Sequence, residues 1–419
     1  MPACADALRP KSVVIWGAGR IGRGFVADLF HTAGYRLTFV DVSEDLVAQL
    51  RRAGRYTVVR ASSAEERDDL VVGDYLAFAA DQVEEISRAV SAADAMVLAV
   101  FPRDFPTVAA QLAPGLARRR FERAQTPLDI ILCTNLAHAA VEFRRRLRDV
   151  FSPELLEYAD QRVGVVESLV MRMVADPPAK EREREPLLVW TNGNAEFPVE
   201  RGAFRGDIPP VPGLRLVDDM RAEEMRKLYT YNTCHAVLAY IGALYGHDLI
   251  VDCLAEPAVR AATEGALGEA SLALQAEYGF SGDDMVRWIE KVLRQTNNPT
   301  LGDRVSRHGA DPRRKLQRDD RLIGPLLMAR RHGIHPPHLI RATAAAFLFG
   351  PLPKTEDYRN PSDPGAAYVQ ERIAQHGIQA ATQEICELTT AESDLAAAIV
   401  EAYRELSAVR DELSLVRRN

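Results

Sequence analysis

The chain has 419 residues, of which 47% are hydrophobic and 26% are charged, as in ordinary globular proteins. Its formal net charge of -7 argues against nucleic acid as the main partner, since nucleic-acid binding usually needs a basic surface. The length predicts two or three domains, each large enough to bury a hydrophobic core.

The cysteines indicate a reducing, cytoplasm-like compartment. They are odd in number, and no two have the spacing of a metal site or a redox motif. Their positions are Cys4, Cys133, Cys234, Cys253 and Cys386. Residues 1–11 lack the apolar core of a signal peptide, and polar residues interrupt the longest apolar stretch, 228–246. We therefore expect a soluble cytoplasmic protein without a membrane partner.

The first half of the chain alternates strand-like and helix-like segments, which is typical of a mostly parallel sheet covered by helices. The predicted strands are residues 13–16, 37–40, 56–59, 96–100, 130–133, 163–166 and 187–190. Helical patterns at 21–33 and 46–53 lie between the first three strands. Prolines and glycines crowd residues 202–213, so we place a domain boundary there, with one domain at 1–205 and the other at 206–419.

A glycine-rich segment, Gly17-Ala-Gly19-Arg20-Ile21-Gly22, follows the first predicted strand and begins a predicted helix. In this context it is a dinucleotide-binding fingerprint. The first glycine allows a tight turn, the second lets the backbone approach the pyrophosphate, and the third lets the helix pack closely on the strand. The helix N-terminus then offers amide groups and its dipole to the phosphates. The sequence therefore predicts a Rossmann-type dinucleotide-binding domain at 1–205.

Asp41 ends the second predicted strand, about twenty residues after the glycines, where this fold places a ribose-binding carboxylate. Such a carboxylate accepts hydrogen bonds from the ribose hydroxyls and repels a 2′-phosphate, so it favours NAD over NADP. Arg20 lies near enough to soften that preference, and otherwise faces the pyrophosphate or solvent.

Asn135 follows the predicted strand 130–133, at the carboxyl end where open α/β sheets bind ligands. Asparagine is common in turns, which is the simpler interpretation of this position. Its side-chain amide can also donate a hydrogen bond to an oxygen that gains negative charge. The residues alone leave both interpretations open.

From residue 218 onward, apolar residues recur at helical spacing, and no segment has the pattern of a strand. The predicted helices are 218–245, 255–278, 282–294, 318–332, 337–348 and 364–387. The expected fold class is therefore α/β, with an N-terminal Rossmann-type domain followed by a mainly α-helical C-terminal domain.

The helix predicted at 218–245 carries Lys227, Asn232 and His235 on an otherwise almost uncharged stretch. Asn232 and His235 are three residues apart and share a helix face. Lys227 lies about 140° around the helix from Asn232 and reaches that face only through its long side chain. The alternative is a buried helix with Lys227 at the water boundary.

A hydride-transfer enzyme needs a group that takes the proton of the alcohol. No tyrosine is followed four residues later by a lysine, and the cysteines and histidines offer no catalytic zinc site. By elimination, Lys227 is the best candidate for the proton acceptor, and we expect no metal.

Basic residues crowd residues 304–321. They are Arg304, Arg307, His308, Arg313, Arg314, Lys315, Arg318 and Arg321. Aspartates are interleaved with them, so a solvated, salt-bridged surface is one interpretation. The other is a phosphate site, since a phosphate dianion needs two or three converging donors and arginine is well shaped for that task.

Together these segments resemble the polyol-specific long-chain dehydrogenases over essentially the whole chain. The segments that carry the resemblance are 17–25, 133–135, 163–168, 227–235, 298–303, 313–316 and 320–325. The pattern Lys227-x4-Asn232-x2-His235 on a helix after a dinucleotide domain is quite specific to this family. The resemblance implies a helical substrate and catalytic domain at 206–419, an NAD cofactor, a metal-independent reaction and a monomer.

The resemblance also implies roles for individual residues. Lys227 would be the general acid/base, Asn135 and Asn232 would stabilise the reacting oxygen, and His235 would orient the substrate hydroxyl. The match of residues 313–316 to the sugar-phosphate branch of the family implies a phosphate clamp. Its residues would be Arg314 and Lys315. The expected reaction is the reversible NAD-linked oxidation of D-mannitol 1-phosphate to D-fructose 6-phosphate.

Three other functions fit parts of the pattern. A related enzyme would act on a free hexitol or hexuronate if the basic cluster does not face the substrate. A β-hydroxyacid dehydrogenase combines a nucleotide domain and a helical domain with catalytic lysine and asparagine, but it needs a different anchor for the substrate carboxylate. An NAD-sensing binding protein without turnover is disfavoured by the complete set of catalytic residues.

Overall fold

Among the residues that the structure describes, all strands lie before residue 218. A computed structural model describes residues 10–350 and 363–418, and the chain divides into two units between Arg221 and Ala222. The strands are β1 (Ser12–Trp16), β2 (Arg36–Asp41), β3 (Arg55–Ala61), β4 (Arg67–Gly73), β5 (Leu76–Ala79), β6 (Ala95–Leu98), β7 (Leu128–Leu132), β8 (Val163–Glu167), β9 (Val174–Ala175), β10 (Val189–Thr191), β11 (Phe197–Glu200) and β12 (Leu214–Val217). Each of the seven predicted strands overlaps one of these and is confirmed.

The main sheet has six parallel strands in the order β5-β2-β1-β6-β7-β8. β1 shows why the sequence forms it. Val13 and Ile15 pack into the core on one face, and Val14 and Trp16 into the core on the other, because successive side chains of a strand point to opposite faces. A strand that is apolar at nearly every position suits a parallel sheet covered on both sides.

A second sheet has the order β4-β3-β10-β9, and β11 pairs with β12 in a separate parallel pair. In the second sheet β3 is antiparallel to β4 and parallel to β10, while β10 is antiparallel to β9. The predicted strands 56–59 and 187–190 thus belong to this mixed sheet, which the sequence pattern does not reveal.

The first unit contains α1 (Ala27–Thr32), α2 (Glu44–Ala53), α3 (Val83–Ala92), α4 (Phe105–Glu122), α5 (Ala139–Val150), α6 (Pro153–Arg162) and α7 (Ala179–Arg184), and α8 (Met220–Lys227) spans the division. The second unit contains α9 (Thr233–Leu244), α10 (Ile250–Ala255), α11 (Pro257–Tyr278), α12 (Gly282–Thr296), α13 (Val305–Gly309), α14 (Pro312–Lys315), α15 (Ile323–Arg331), α16 (Pro337–Leu348), α17 (Pro364–Ile385) and α18 (Ser393–Arg418). The expected order of a Rossmann-type domain followed by a mainly helical domain is confirmed.

A buried ionic group ties distant parts of the first unit together. Asp28 on α1 pairs with Arg172, and both side chains are 1% exposed. Arg172 also donates to the carbonyl oxygens of Gly24 and Asn194, each at 2.8 Å, and Arg60 on β3 donates to Asp28 at 2.9 Å. Burial lowers the pKa of Arg172, while Asp28 opposes that shift. The group therefore needs all its partners, because a buried charge without them is strongly destabilising.

The second unit is built around α9, whose residues are almost all buried. Glu269 on α11 accepts hydrogen bonds from the backbone N–H groups of His338 and Leu339, both at 2.8 Å, and so caps the first turn of α16.

Within residues 10–350 and 363–418, no helix is both long and apolar enough to cross a lipid bilayer. The four cysteines in these ranges are buried free thiols, and Cys4 lies outside the described residues.

Candidate active site

The glycine-rich turn after β1 has two glycines that the fold requires and one that it does not. A Cβ atom on Gly17 would lie 2.3 Å from the carbonyl oxygen of Ala99, and one on Gly22 would lie 1.8 Å from the carbonyl oxygen of Gly17. Gly17 also has a φ of 97°, which disfavours other residues. A Cβ atom on Gly19 would meet nothing within 4 Å. The absence of a side chain at Gly19 therefore leaves open space over the turn, as a ligand that approaches the backbone requires.

Asp41 is tied to this turn. Its carboxylate accepts hydrogen bonds from the backbone N–H of Ala18 at 2.7 Å and of Ser43 at 2.9 Å. A carboxylate has about four lone-pair sites, so two remain for further donors.

Arg20 forms an ion pair of 2.5 Å with Asp176, so its charge is already partnered. Ile21 is half-buried and packs against the core beneath the turn.

Asn135 is exposed just beyond β7, at the carboxyl edge of the main sheet. Sequence reasoning missed three exposed apolar side chains at the same edge: Val42 after β2, Val83 after β5 and Phe101 after β6. Exposed apolar side chains that share one edge suit the flat face of a heterocyclic ring. A signal was present in the sequence, because each of them follows closely on a strand end.

The Lys227 segment is not one continuous α-helix, so the prediction of an α-helix over 218–245 is wrong at its centre. α8 ends at Lys227, residues Leu228–Asn232 form a π turn, and α9 begins at Thr233. A π turn joins residues five apart instead of four. Asn232 therefore follows Lys227 by about one turn, on the same face, and not about 140° around it as in an α-helix.

His235 lies one helical turn beyond Asn232, where it is buried against a second histidine. Its ring stacks on His308 of α13, with ring centroids 4.3 Å apart and planes inclined by 15°. The Nε2 atom of His235 is buried and has no hydrogen-bond partner among the described residues. His308 Nε2 lies 3.3 Å from a carboxylate oxygen of Asp303.

Burial sets the charge state of this histidine pair. It lowers the pKa of His235 well below the ordinary value, and the neighbouring His308 adds to the effect. Burial also lowers the pKa of His308, against the opposing influence of Asp303. For Asp303, burial alone would raise the pKa, but His308 and Arg307 outweigh it and lower the pKa to about 2. Near neutral pH both imidazoles are uncharged, and an uncharged imidazole can donate or accept a hydrogen bond.

The structure places Arg314 and Lys315 in different surroundings, although they are neighbours in sequence. The Arg314 side chain is 50% exposed and forms ion pairs with Asp311 at 3.3 Å and Asp320 at 3.1 Å. Lys315 is buried, and its Nζ donates to the carbonyl oxygen of His308 at 2.7 Å and to that of Ala310. Burial, reinforced by Arg321 and Arg314, lowers the pKa of Lys315 to about 7. Both cations thus have partners from the protein.

Other residues of the basic cluster are also engaged. Arg307 pairs with Asp303 at 2.5 Å, Arg318 with Glu392 at 2.8 Å and Arg321 with Asp320 at 2.7 Å. In the part of the chain that the structure describes, no three His, Cys, Asp or Glu side chains are close enough to hold a metal ion.

Two family models match consecutive parts of the chain. The model of the mannitol dehydrogenase Rossmann domain matches residues 11–212, and the model of the mannitol dehydrogenase C-terminal domain matches residues 219–407. Together they cover nearly all of the described residues.

Two solved structures resemble the whole chain. One is a ternary complex of Pseudomonas fluorescens mannitol 2-dehydrogenase with NAD and D-mannitol, with 16% sequence identity and a TM-score of 0.73 over 100% of this chain and 96% of that one. The other is a substrate-free D-sorbitol dehydrogenase, with 16% identity and a TM-score of 0.78 over 96% of this chain and 94% of that one. At this identity the likeness shows a shared fold.

Proposed function

The chain belongs to the mannitol dehydrogenase family, and on that premise we propose that it is an NAD(H)-dependent mannitol-1-phosphate 5-dehydrogenase. The reaction is the reversible oxidation of D-mannitol 1-phosphate to D-fructose 6-phosphate. The observation that carries the dehydrogenase assignment is the π turn, because it brings Lys227 and Asn232 to one face, next to His235.

The glycine-rich turn and Asp41 fit a dinucleotide. The open space over Gly19 suits a pyrophosphate close to the backbone, and the remaining lone pairs of Asp41 suit the two hydroxyls of a ribose. A 2′-phosphate would meet the negative charge of Asp41, which favours NAD over NADP. Held by the glycine-rich turn and Asp41, NAD would supply the acceptor for the hydride from the carbon that carries the reacting hydroxyl.

The remaining steps belong to side chains of the protein. Lys227 accepts the hydroxyl proton during oxidation and returns it during reduction. The amides of Asn135 and Asn232 donate hydrogen bonds to the oxygen as it gains negative charge. His235, which burial keeps uncharged, forms a hydrogen bond with a substrate hydroxyl and sets its orientation.

Arg314 supports a phosphorylated substrate. Its ion pair with Asp311 is at the surface, where such a pair contributes only about 0–1 kcal/mol. The Asp320 side chain is only 15% exposed, but it also pairs with Arg321, so the guanidinium of Arg314 can leave both aspartates for a phosphate dianion. Arginine binds phosphate with two parallel hydrogen bonds, which makes the exchange favourable. Lys315 adds positive charge nearby only when it is protonated, since burial lowers its pKa to about 7. Its ammonium group then donates to buried carbonyl oxygens.

The same contacts favour a second candidate function. Since Arg314 and Lys315 both have partners within the protein, a family member that acts on a free hexitol would need no change in this region. In that case the reaction would be the oxidation of mannitol or a related hexitol to the ketose, with the same roles for Lys227 and Asn232.

A substrate panel with the purified protein separates these candidates. We expect fructose 6-phosphate with NADH to be reduced about 10²–10⁴-fold more efficiently than fructose, since two charge-assisted bonds contribute roughly 1.5–3 kcal/mol each. Arg314→Ala should lower kcat/KM for the phosphorylated sugar alone. Arg313→Ala is the matched control. The guanidinium carbon of Arg313 lies 4.0 Å from the centre of the Tyr368 ring, so this neighbouring arginine is engaged elsewhere. Equal efficiency with both sugars in the unaltered protein would exclude the phosphate assignment and leave the free-hexitol function.

A further inference from the structure

Thr230 lies in the middle of the π turn and makes two buried hydrogen bonds. Its hydroxyl donates to the carbonyl oxygen of Arg226 at 2.5 Å and accepts from the indole N–H of Trp288 at 2.8 Å. Thr230 is fully buried, and Trp288 on α12 is nearly so. Because the hydroxyl has one proton and that proton goes to Arg226, the indole fixes the direction in which the hydroxyl donates.

Trp288 is itself held in place from two sides. The guanidinium of Arg226 lies 3.8 Å from the centre of its ring, and the ring of Tyr231 meets it edge-on at 5.6 Å. Arg226 in turn pairs with Glu223 at 2.7 Å and with Asp284 at 2.8 Å. The indole N–H is therefore a fixed donor that points at the π turn.

The far end of the turn is anchored separately. The hydroxyl of Thr233, the first residue of α9, donates to the carbonyl oxygen of Arg321 at 2.7 Å, and the carbonyl oxygen of Leu228 lies 3.3 Å from the same hydroxyl. The carbonyl oxygens of Arg226 and Leu228 thus lie within hydrogen-bond distance of threonine hydroxyls, which compensates for the altered backbone hydrogen bonds of a π turn.

A threonine hydroxyl bonded to the carbonyl four residues earlier does not by itself produce a π turn. Thr343 makes the same bond to Leu339 at 2.8 Å, and it lies within the regular helix α16. Thr343 is also fully buried. The feature that sets Thr230 apart is the additional hydrogen bond from Trp288.

We propose that Thr230 and Trp288 are positioning residues that keep Leu228–Asn232 in the π turn and so hold Lys227 and Asn232 on one face. This inference rests on the proposed function, in which these two side chains act on the same substrate oxygen. If the turn relaxed to an α-helix, Asn232 would move about 140° away from Lys227. The substrate would then meet either the base or the amide, but not both.

The test compares isosteric variants. Thr230→Val removes the hydroxyl and should lower kcat by about 10²-fold, the scale of an error of 1 Å in the position of a catalytic group. NADH affinity should not change, since the glycine-rich turn and Asp41 are untouched. The pH dependence of kcat/KM should shift, because it reports the acid or base of the free enzyme. Trp288→Phe should also lower kcat and shift the pH dependence. Thr230→Ser keeps the hydroxyl and should retain most of kcat.

Thr343→Val is the matched control, since it removes the same kind of buried bond from a regular helix. It should lower the melting temperature without altering kcat or the pH profile. If Thr230→Val does not fold, Trp288→Phe and Thr230→Ser decide the matter by the same readouts. The inference is overturned if Thr230→Val and Trp288→Phe keep the kcat and pH profile of the unaltered protein, or if Thr343→Val loses as much kcat. No turnover of any hexitol or ketose by the unaltered protein would instead refute the proposed function.

Discussion

Lys227 is the single residue on which the proposed proton transfer depends. Lys227→Ala leaves no side chain at the end of α8 to accept the hydroxyl proton, so kcat should fall by about 10²–10⁴-fold, the usual contribution of a general acid or base. NADH affinity, measured by fluorescence titration, should stay unchanged. Lys180→Ala, at an exposed position of α7, is the control. Nearly normal turnover in Lys227→Ala would mean that another group takes the proton.

The stacked pair of His235 and His308 makes a prediction about acid stability. Burial lowers both folded-state pKa values below the ordinary value of about 6.5, so in mildly acidic solution the unfolded chain binds more protons than the folded chain. The contribution of this pair to the free energy of unfolding should therefore be fully present above that value and decrease as the pH falls below it. Urea unfolding at pH 8, 7, 6 and 5 measures the slope.

Variants separate the pair from the other titrating groups. His308→Phe retains a flat ring against His235 but removes one titrating group, so the stability of this variant should depend less steeply on pH between 7 and 5. His376→Gln, an exposed histidine on α17, should leave the slope unchanged. An identical slope in His308→Phe and the unaltered protein would show that the pair does not control acid stability.

At the scale of an element, two glycines of the glycine-rich turn serve different purposes, one in folding and the other in coenzyme binding. Gly22→Ala would place a Cβ atom 1.8 Å from the carbonyl oxygen of Gly17, so the turn between β1 and α1 must shift, and the melting temperature should fall. Gly19→Ala meets no protein atom and should leave the melting temperature nearly unchanged while it weakens NADH binding. Equal NADH affinity in Gly19→Ala would mean that the coenzyme does not approach the backbone there.

The elements that the sequence predicts well are those whose pattern is local. Five of the six strands of the main sheet read as apolar runs because they are largely buried, whereas β5, which begins with the exposed Leu76, was not predicted. In the second unit, α12 shows the helical period clearly, with buried residues at Met285, Trp288, Val292 and Thr296. β4 was missed because its sequence, Arg67–Gly73, begins with three charged residues and is largely exposed. β9, with two residues, is too short to produce any pattern.

In the candidate site, too, only the features with a local sequence pattern could be predicted. The glycines and Asp41 could be located from sequence because a strand, a turn and a helix follow one another within one segment. The π turn could not, because Leu-Tyr-Thr-Tyr-Asn is compatible with an α-helix and its hydrogen bond to Trp288 comes from 58 residues away. The burial of Lys315 was also hidden, since its partners are carbonyl oxygens, which every residue carries.

For the whole molecule, the assignment predicts independence from metal. In the proposed reaction, hydrogen bonds from Asn135 and Asn232 stabilise the negative charge on the reacting oxygen, and this stabilisation needs no Lewis acid. Prolonged treatment with a chelator, followed by its removal, should leave kcat unchanged for fructose 6-phosphate reduction. Loss of activity that zinc restores would contradict the assignment and require ligands other than the residues proposed.

The pairing of Asp28 with Arg172 also has a consequence for biosynthesis, because 144 positions separate the two residues in the chain. When the first 150 residues have left the ribosome, five of the six strands of the main sheet are present, but Asp28 has only Arg60 as a partner and β10 has not yet paired with β3. We therefore expect the nascent nucleotide-binding half to stay open to proteases and chaperones at least until about residue 191 emerges, since domains generally fold as units.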